Sequence, residues 1–126
     1  MNKLLLALTL GVSLTSCGSI LFPKDISLFI SKVDLPATVT PTENLSVTVT
    51  YGVGCGDRDQ TLSLVSRTPS NLTLVATGKN AGMYMACSTG IVEKTLTYTD
   101  SGSPARSNPF EVIVNGKSWG KIEVKE

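Results

Sequence analysis

The sequence predicts an all-β fold: two antiparallel sheets packed face to face as a sandwich of seven to eight short strands. Three observations carry this. Apolar and polar residues alternate at period two in several separate runs, the pattern of half-buried strands. Turn-forming residues interrupt those runs at short, regular spacing. No stretch shows the sustained apolar i, i+3, i+4 stripe of an amphipathic helix. Composition agrees. The 126 residues include 29 Ser and Thr and only 17% charged residues, with 41% apolar. That balance suits a folded chain of short strands and turns.

Each strand has its own signal. Ile26, Leu28 and Ile30 alternate with polar or outward neighbours. Leu45, Val47, Val49 and Tyr51 alternate cleanly with Ser46, Thr48 and Thr50. Leu62 and Leu64 follow, then Leu72 and Leu74 around Thr73. Ile91 to Tyr98 and Phe110 to Val114 are rich in β-branched and aromatic residues, and Lys117 to Lys125 closes the chain. Pro36, Pro41, Thr68-Pro69-Ser70-Asn71, Gly78-Lys79-Asn80, Asp100-Ser101-Gly102-Ser103-Pro104 and Asn108-Pro109 read as turns. The sequons Asn44-Leu45-Ser46 and Asn71-Leu72-Thr73 read as turn-to-strand starts.

Asn115-Gly116 is the strongest hairpin signal, a two-residue type I′ turn that sets Val114 opposite Lys117. A regular ladder would then pair Val112 with Trp119 and Phe110 with Lys121. It would also send Ile122 and Val124 to the face opposite Trp119. A bulge at Gly120 restores parity, so Trp119, Ile122 and Val124 are all expected to face the core.

Several functions are excluded at the outset. The chain has no histidine, so Ser-His-Asp and Cys-His catalysis and His-based metal motifs are absent. Eleven basic residues face ten acidic ones, so no charge excess attracts nucleic acid. No phosphate loop is present, because neither GxxxxGK[ST] nor GxGxxG occurs. No cofactor is implied.

The N-terminus is informative. Met1-Asn2-Lys3 is followed by an uncharged apolar run from Leu4 to Leu14, ending in Leu14-Thr15-Ser16-Cys17. The run is too short to span a bilayer and fits the h-region of a secretory signal. Its end resembles the lipobox of bacterial lipoproteins. That resemblance implies cleavage before Cys17, a diacylglyceryl thioether on its sulfur, usually a further acyl chain such as palmitate on the new amine, and a lipid-anchored place in the cell envelope. Gly18 follows the cysteine, a position where many diderm bacteria carry Asp for inner-membrane retention, so the outer membrane is the implied destination in such a source. The organisation is then a signal peptide over 1–16, a lipidated tether over 17–24 and one domain over 25–126. Ile20, Leu21 and Phe22 are unusually apolar for a tether and suit the lipid surface or the domain.

Leu35 to Tyr51 resembles the opening of bacterial immunoglobulin-like domains, with a proline-marked edge strand, a polar turn and alternating Val and Thr. Two features depart from that family. Trp119 follows both remaining cysteines instead of lying between them, and Tyr84 stands three residues before Cys87, not two.

Once lipidation uses Cys17, Cys55 and Cys87 form an even pair, expected as a disulfide in an oxidising compartment. It would add roughly 3.5–4 kcal/mol at most through loop closure. If each turn reverses the chain, the segment after Thr77 returns to the end of the sandwich that holds Gly52 to Asp59. Asp57, Arg58, Asp59, Lys79, Asn80 and Tyr84 would gather there as a binding loop. An Asp57–Asp59 pair can ligate Ca²⁺, but no third or fourth carboxylate is near, so a solvated turn partly neutralised by Arg58 is the preferred reading and no metal site is assigned. The function implied is a non-catalytic envelope module recognising a protein or glycan through loops. The alternatives are a structural or chaperone-like lipoprotein pairing through an open edge at Asp25–Val33 or Ile91–Tyr98, and a carboxylate hydrolase.

Overall fold

The structure, a computed structural model, describes residues 24–80 and 91–126. Nine strands are present among them: β1 (Lys24–Ser27), β2 (Phe29–Asp34), β3 (Thr38–Val39), β4 (Leu45–Val53), β5 (Asp57–Arg67), β6 (Asn71–Asn80), β7 (Val92–Asp100), β8 (Phe110–Val114) and β9 (Lys117–Val124). They form a six-stranded and a three-stranded sheet, a sandwich-like all-β architecture. The expected seven to eight strands become nine because Leu28 breaks the first run in two. β1 joins β6 in the large sheet, and β2 joins β4 in the small one. Leu28 itself is buried, and its N–H donates to the Ala76 carbonyl at 3.1 Å. Strand β1 begins at Lys24, one residue before the expected domain boundary.

Strand β6 is the spine of the large sheet. Strand β5 pairs along one side of it. Along the other side lie β8, opposite Asn71–Leu74, and β1, opposite Thr77–Asn80. Two pairings, β6 with β8 and β3 with β9, are parallel, which corrects the purely antiparallel expectation. The chain crosses to the small sheet as β7 between β6 and β8, so β8 re-enters the large sheet in the same direction as β6. In the small sheet β4 is central, and β7 pairs with it over nine successive residues without a register shift.

The core follows the alternation. Leu45, Val47, Val49 and Tyr51 from β4 meet Leu72, Leu74 and Ala76 from β6, and Phe110, Val112 and Val114 from β8, all buried. The intervening residues of β4 and β7 form hydroxyl rows on the outer face. Ser46 lies opposite Thr99, Thr48 opposite Thr97 and Thr50 opposite Thr95, and the Thr48 and Thr97 hydroxyls are 3.0 Å apart.

Gly78-Lys79-Asn80 is not a turn, as its composition suggested. It is the end of β6, flanked by both β1 and β5. A Cβ on Gly78 would lie 3.1 Å from Leu28 Cδ2 and 3.3 Å from the Arg58 carbonyl oxygen, so glycine here serves close approach within a sheet. Asp57 and Arg58 likewise open β5 instead of forming a free turn, and Asp59 enters a bulge with φ 55°.

The C-terminal hairpin has the expected bulge. Val114 pairs with Lys117 and Ile113 with Ser118, but Val112 pairs with Gly120 and Phe110 with Ile122, leaving Trp119 as the inserted residue. Ile122 is fully buried, and Trp119 and Val124 pack partly buried against the core. Gly120 has φ 147°, a conformation open to glycine and costly to other residues. Gly120→Ala should lower stability by about 1–3 kcal/mol through backbone strain. A denaturant titration would check this, and an unchanged midpoint would contradict it. The turn is tied down by Asn115, whose Oδ1 accepts from the Ala76 N–H at 2.8 Å and whose Nδ2 donates to the Ala76 and Leu28 carbonyls.

At one end of the sandwich lies a charged cluster the sequence did not announce. Arg67 Nε donates to Asp100 Oδ1 at 2.8 Å, and Arg106 Nη2 donates to Asp100 Oδ2 at 2.6 Å. All three side chains are buried. The Arg67 and Arg106 guanidiniums lie 4.7 and 5.5 Å from the centroid of the Phe110 ring. Arg106 also donates to the carbonyls of Thr40 and Asp100, and Arg67 to those of Thr68 and Pro104. The cluster therefore fastens the 101–109 segment to the ends of β5 and β7 and to Thr40 after β3.

Candidate functional site

The opposite end of the sandwich gathers most of the residues singled out in the sequence. Strand register places Asp57 opposite Asn80 and Arg58 opposite Lys79. Asp57 is committed to the turn: its Oδ2 accepts from the Gly54 N–H at 2.6 Å and its Oδ1 accepts from Asn80 Nδ2 at 2.5 Å. Asn80 Nδ2 also lies 3.4 Å from the Cys55 carbonyl. Asp57 and Asn80 thus hold the β4–β5 connection against the end of β6. Their polar atoms serve the scaffold before any ligand.

Asp59 and Lys79 have a different setting. With Asp25, Thr61, Thr77 and Gly78 they line an open cleft of about 460 Å³. Register explains the grouping: β1, β6 and β5 run side by side, with Asp25 opposite Lys79 and Thr61 opposite Thr77. Lys79 Nζ is 2.7 Å from Asp25 Oδ1, and the Thr61 and Thr77 hydroxyls are 3.4 Å apart. The cleft therefore presents two carboxylates, an ammonium and two hydroxyls, with no large apolar side chain among its lining residues. Much of its surface is the aliphatic part of these side chains, so it offers both hydrogen bonds and apolar contact to a ligand.

Arg58 is exposed on the same strand. Tyr84 and Cys87 lie outside the described residues. Asp25, Thr61 and Thr77 were not expected at a site. Asp25 comes from a strand 54 residues before Lys79, and only the pairing of β1 with β6 brings it there. Among the described residues no group of three or more His, Cys, Asp or Glu could hold a metal ion, and no helix is long and apolar enough to cross a membrane.

A second, smaller depression of about 200 Å³ lies where β1 gives way to β2, between Phe29 and Ile30 on one side and Lys117 and Trp119 on the other. Lys117 Nζ sits 4.2 Å from the centroid of the Trp119 ring, whose Nε1 is buried without a hydrogen-bond partner among the described residues.

Comparison of the chain with protein-family models, with curated proteins and with solved structures finds no match.

Proposed function

We propose that the protein is a lipid-anchored module of the bacterial cell envelope that recognises a protein or glycan without catalysis. The polar cleft around Lys79 and Asp59 is its contact surface, and the observation that carries this is the convergence of three strands on one open, hydrogen-bonding concavity. Its size falls in the range of ordinary ligand sites. Its groups project from strands, so little ordering cost is left for binding. The lipobox ending at Cys17 supports the anchor, and Gly18 favours the outer membrane over the inner. A Cys55–Cys87 disulfide belongs to the same reading. It is supported by the absence of a free thiol at Cys55, and it would stiffen the loop beside the cleft. Immunoglobulin-like remains our description of how the two sheets face each other; the parallel β6–β8 pairing is where the chain departs from that pattern.

The test is crosslinking and capture of the lipidated protein in its own envelope membranes, comparing wild type with Asp59→Ala/Lys79→Ala. Both side chains are peripheral to the core, so the fold is retained. Neighbours recovered with wild type should fall at least tenfold with the double variant, about 1.4 kcal/mol or more of contact energy. Equal recovery would show that the cleft is not the contact surface.

One observation favours a second reading, edge-strand pairing. Strand β7 is long and regular and pairs only with β4 among the described residues. An edge of this kind can accept a partner strand. Strand β2, the other edge of this sheet, is a poorer template because it carries a register shift around Ser31 and a Lys32–Asp34 ion pair.

A further inference from the structure

The large exposed apolar residues fall in two places. Leu64 and Val65 lie along β5, and Phe29, Ile91 and Val92 lie at the end of the small sheet. In the second group Phe29 and Ile91 meet. Phe29 pairs with Gly52, and a Cβ built on Gly52 would meet Ile91 Cγ2 at 2.6 Å and Phe29 Cδ1 at 4.0 Å. The two side chains thus close over a glycine, yet each remains 72% exposed. Val92 pairs with Val53 at the same end but is turned to the opposite face of the sheet. Isolated exposed apolar residues need no explanation, but a clustered set at one end does.

The chain enters the domain at that same end. Lys24 lies opposite Asn80, Asn80 opposite Asp57, and Val53 opposite Val92. Only seven residues, Cys17 to Pro23, precede Lys24 after the expected cleavage, and fully extended they reach about 25 Å. Three of them are Ile20, Leu21 and Phe22. We propose that the membrane itself covers this patch: Phe29, Ile91 and Val92 rest in the lipid–water interface, and the domain lies against the bilayer through the end of its small sheet. The proposal rests on the lipid-anchor reading and adds an orientation to it. The polar cleft is on the outer face of the large sheet, so this docking leaves it open to the aqueous side.

The charges around the patch specify which lipid surface. Beside it lie Glu93 (opposite Gly52), Lys94 (opposite Tyr51) and Lys117, which shares a depression with Phe29 and Ile30. This is no polybasic cluster, so anionic headgroups add little, and burial of apolar area drives the contact. Docking should therefore occur on zwitterionic membranes and resist salt, unlike a polybasic surface.

The experiment reconstitutes the lipidated protein in phosphatidylcholine vesicles and places a tryptophan at the patch with Phe29→Trp. A Val65→Trp variant is the control, since Val65 is also exposed but lies along β5. Both positions face solvent, so neither change threatens the fold, and the emission of Trp119 in the parent protein is subtracted. With brominated acyl chains in the vesicles, emission from position 29 should shift to the blue and lose at least half its intensity, while position 65 stays water-like, at low and high salt alike. Water-like emission from position 29 on a protein that floats with the vesicles would overturn docking and leave the anchor intact. Equal quenching at both positions would overturn the assignment to this patch. Shielding in native envelope membranes alone would assign the patch to a protein partner and overturn the lipid assignment. Failure to float at all would remove the anchor, and the docking with it.

Discussion

Asp100→Ala should destabilise the domain by about 3–5 kcal/mol, because it leaves two buried guanidiniums without a counter-charge. For a domain of about one hundred residues that corresponds to a fall in Tm of roughly 10–25 °C. The aspartate is the hub: Arg67 and Arg106 each reach one of its oxygens, and both guanidiniums lie against Phe110. Burial pushes the Asp100 carboxyl up, but the hydrogen bonds and positive charges of the two arginines outweigh it and hold the group below the usual carboxylate range. The sign of the pH dependence follows. A carboxyl whose pKa is depressed by folding contributes stability that is fully present above its unfolded pKa, about 3.9. That contribution is lost as pH falls from there through the lower folded value. Wild type should lose stability in this acid window, and Asp100→Asn should lose less of it across the same range. Thermal melts between pH 7 and pH 2 would check both. Parallel curves for the two proteins would show that Asp100 does not carry the acid sensitivity. Replacing the whole triad with apolar residues is a different matter, since such exchanges are often neutral or stabilising. Asp100→Leu with Arg67→Met and Arg106→Met should therefore recover most of what Asp100→Ala loses.

Cys17→Ala should abolish lipid processing. Thioether formation requires a thiol, and the small residues Thr15 and Ser16 before it suit an extended fit in a protease cleft. The expected product is an unprocessed chain that still carries residues 1–16 and does not yield the mature lipidated form. A single acyl chain binds a bilayer only marginally, whereas two or three anchor it stably. The lipid anchor should therefore be lost altogether, not reduced by degrees. Mass spectrometry of the membrane fraction and detergent partitioning would read this. A variant that still matured to begin at residue 17 and entered the detergent phase would contradict the lipobox reading.

What the sequence made legible was local. The alternation of Leu45, Val47, Val49 and Tyr51 gave both the strand and its buried face, because one residue step decides which side chain points inward. The bulge at Gly120 was legible for the same reason: Trp119 and Ile122 could share a face only if the ladder skipped a residue. What stayed hidden depends on pairings between distant segments. Nothing near Asn71 announces that β8 will lie parallel to it, since that choice is made when β7 crosses to the other sheet. Gly78-Lys79-Asn80 has the composition of a turn, but two neighbouring strands hold it extended. Asp100 stood in a run of turn residues and carried no sign of its partners. One of them, Arg67, lies 33 residues before it and becomes a neighbour only in the folded chain. The candidate site was legible in half. Asp59 and Lys79 stand out in the sequence as charged residues near the cysteines, whereas Asp25, Thr61 and Thr77 join them only through the strand register.

The division of the first strand between two sheets also sets how the domain carries mechanical load. Tension along the β1 axis at Lys24 meets four residue pairs between β1 and β6, whose hydrogen bonds lie across the line of pull. They are strained together in shear, not opened one after another. Behind them the Leu28–Ala76 backbone bond and the β2–β4 ladder take up the same force in the other sheet. A chain pulled at Lys24 is thus spliced into both layers within eleven residues, Lys24 to Asp34. Detaching it requires both layers to yield.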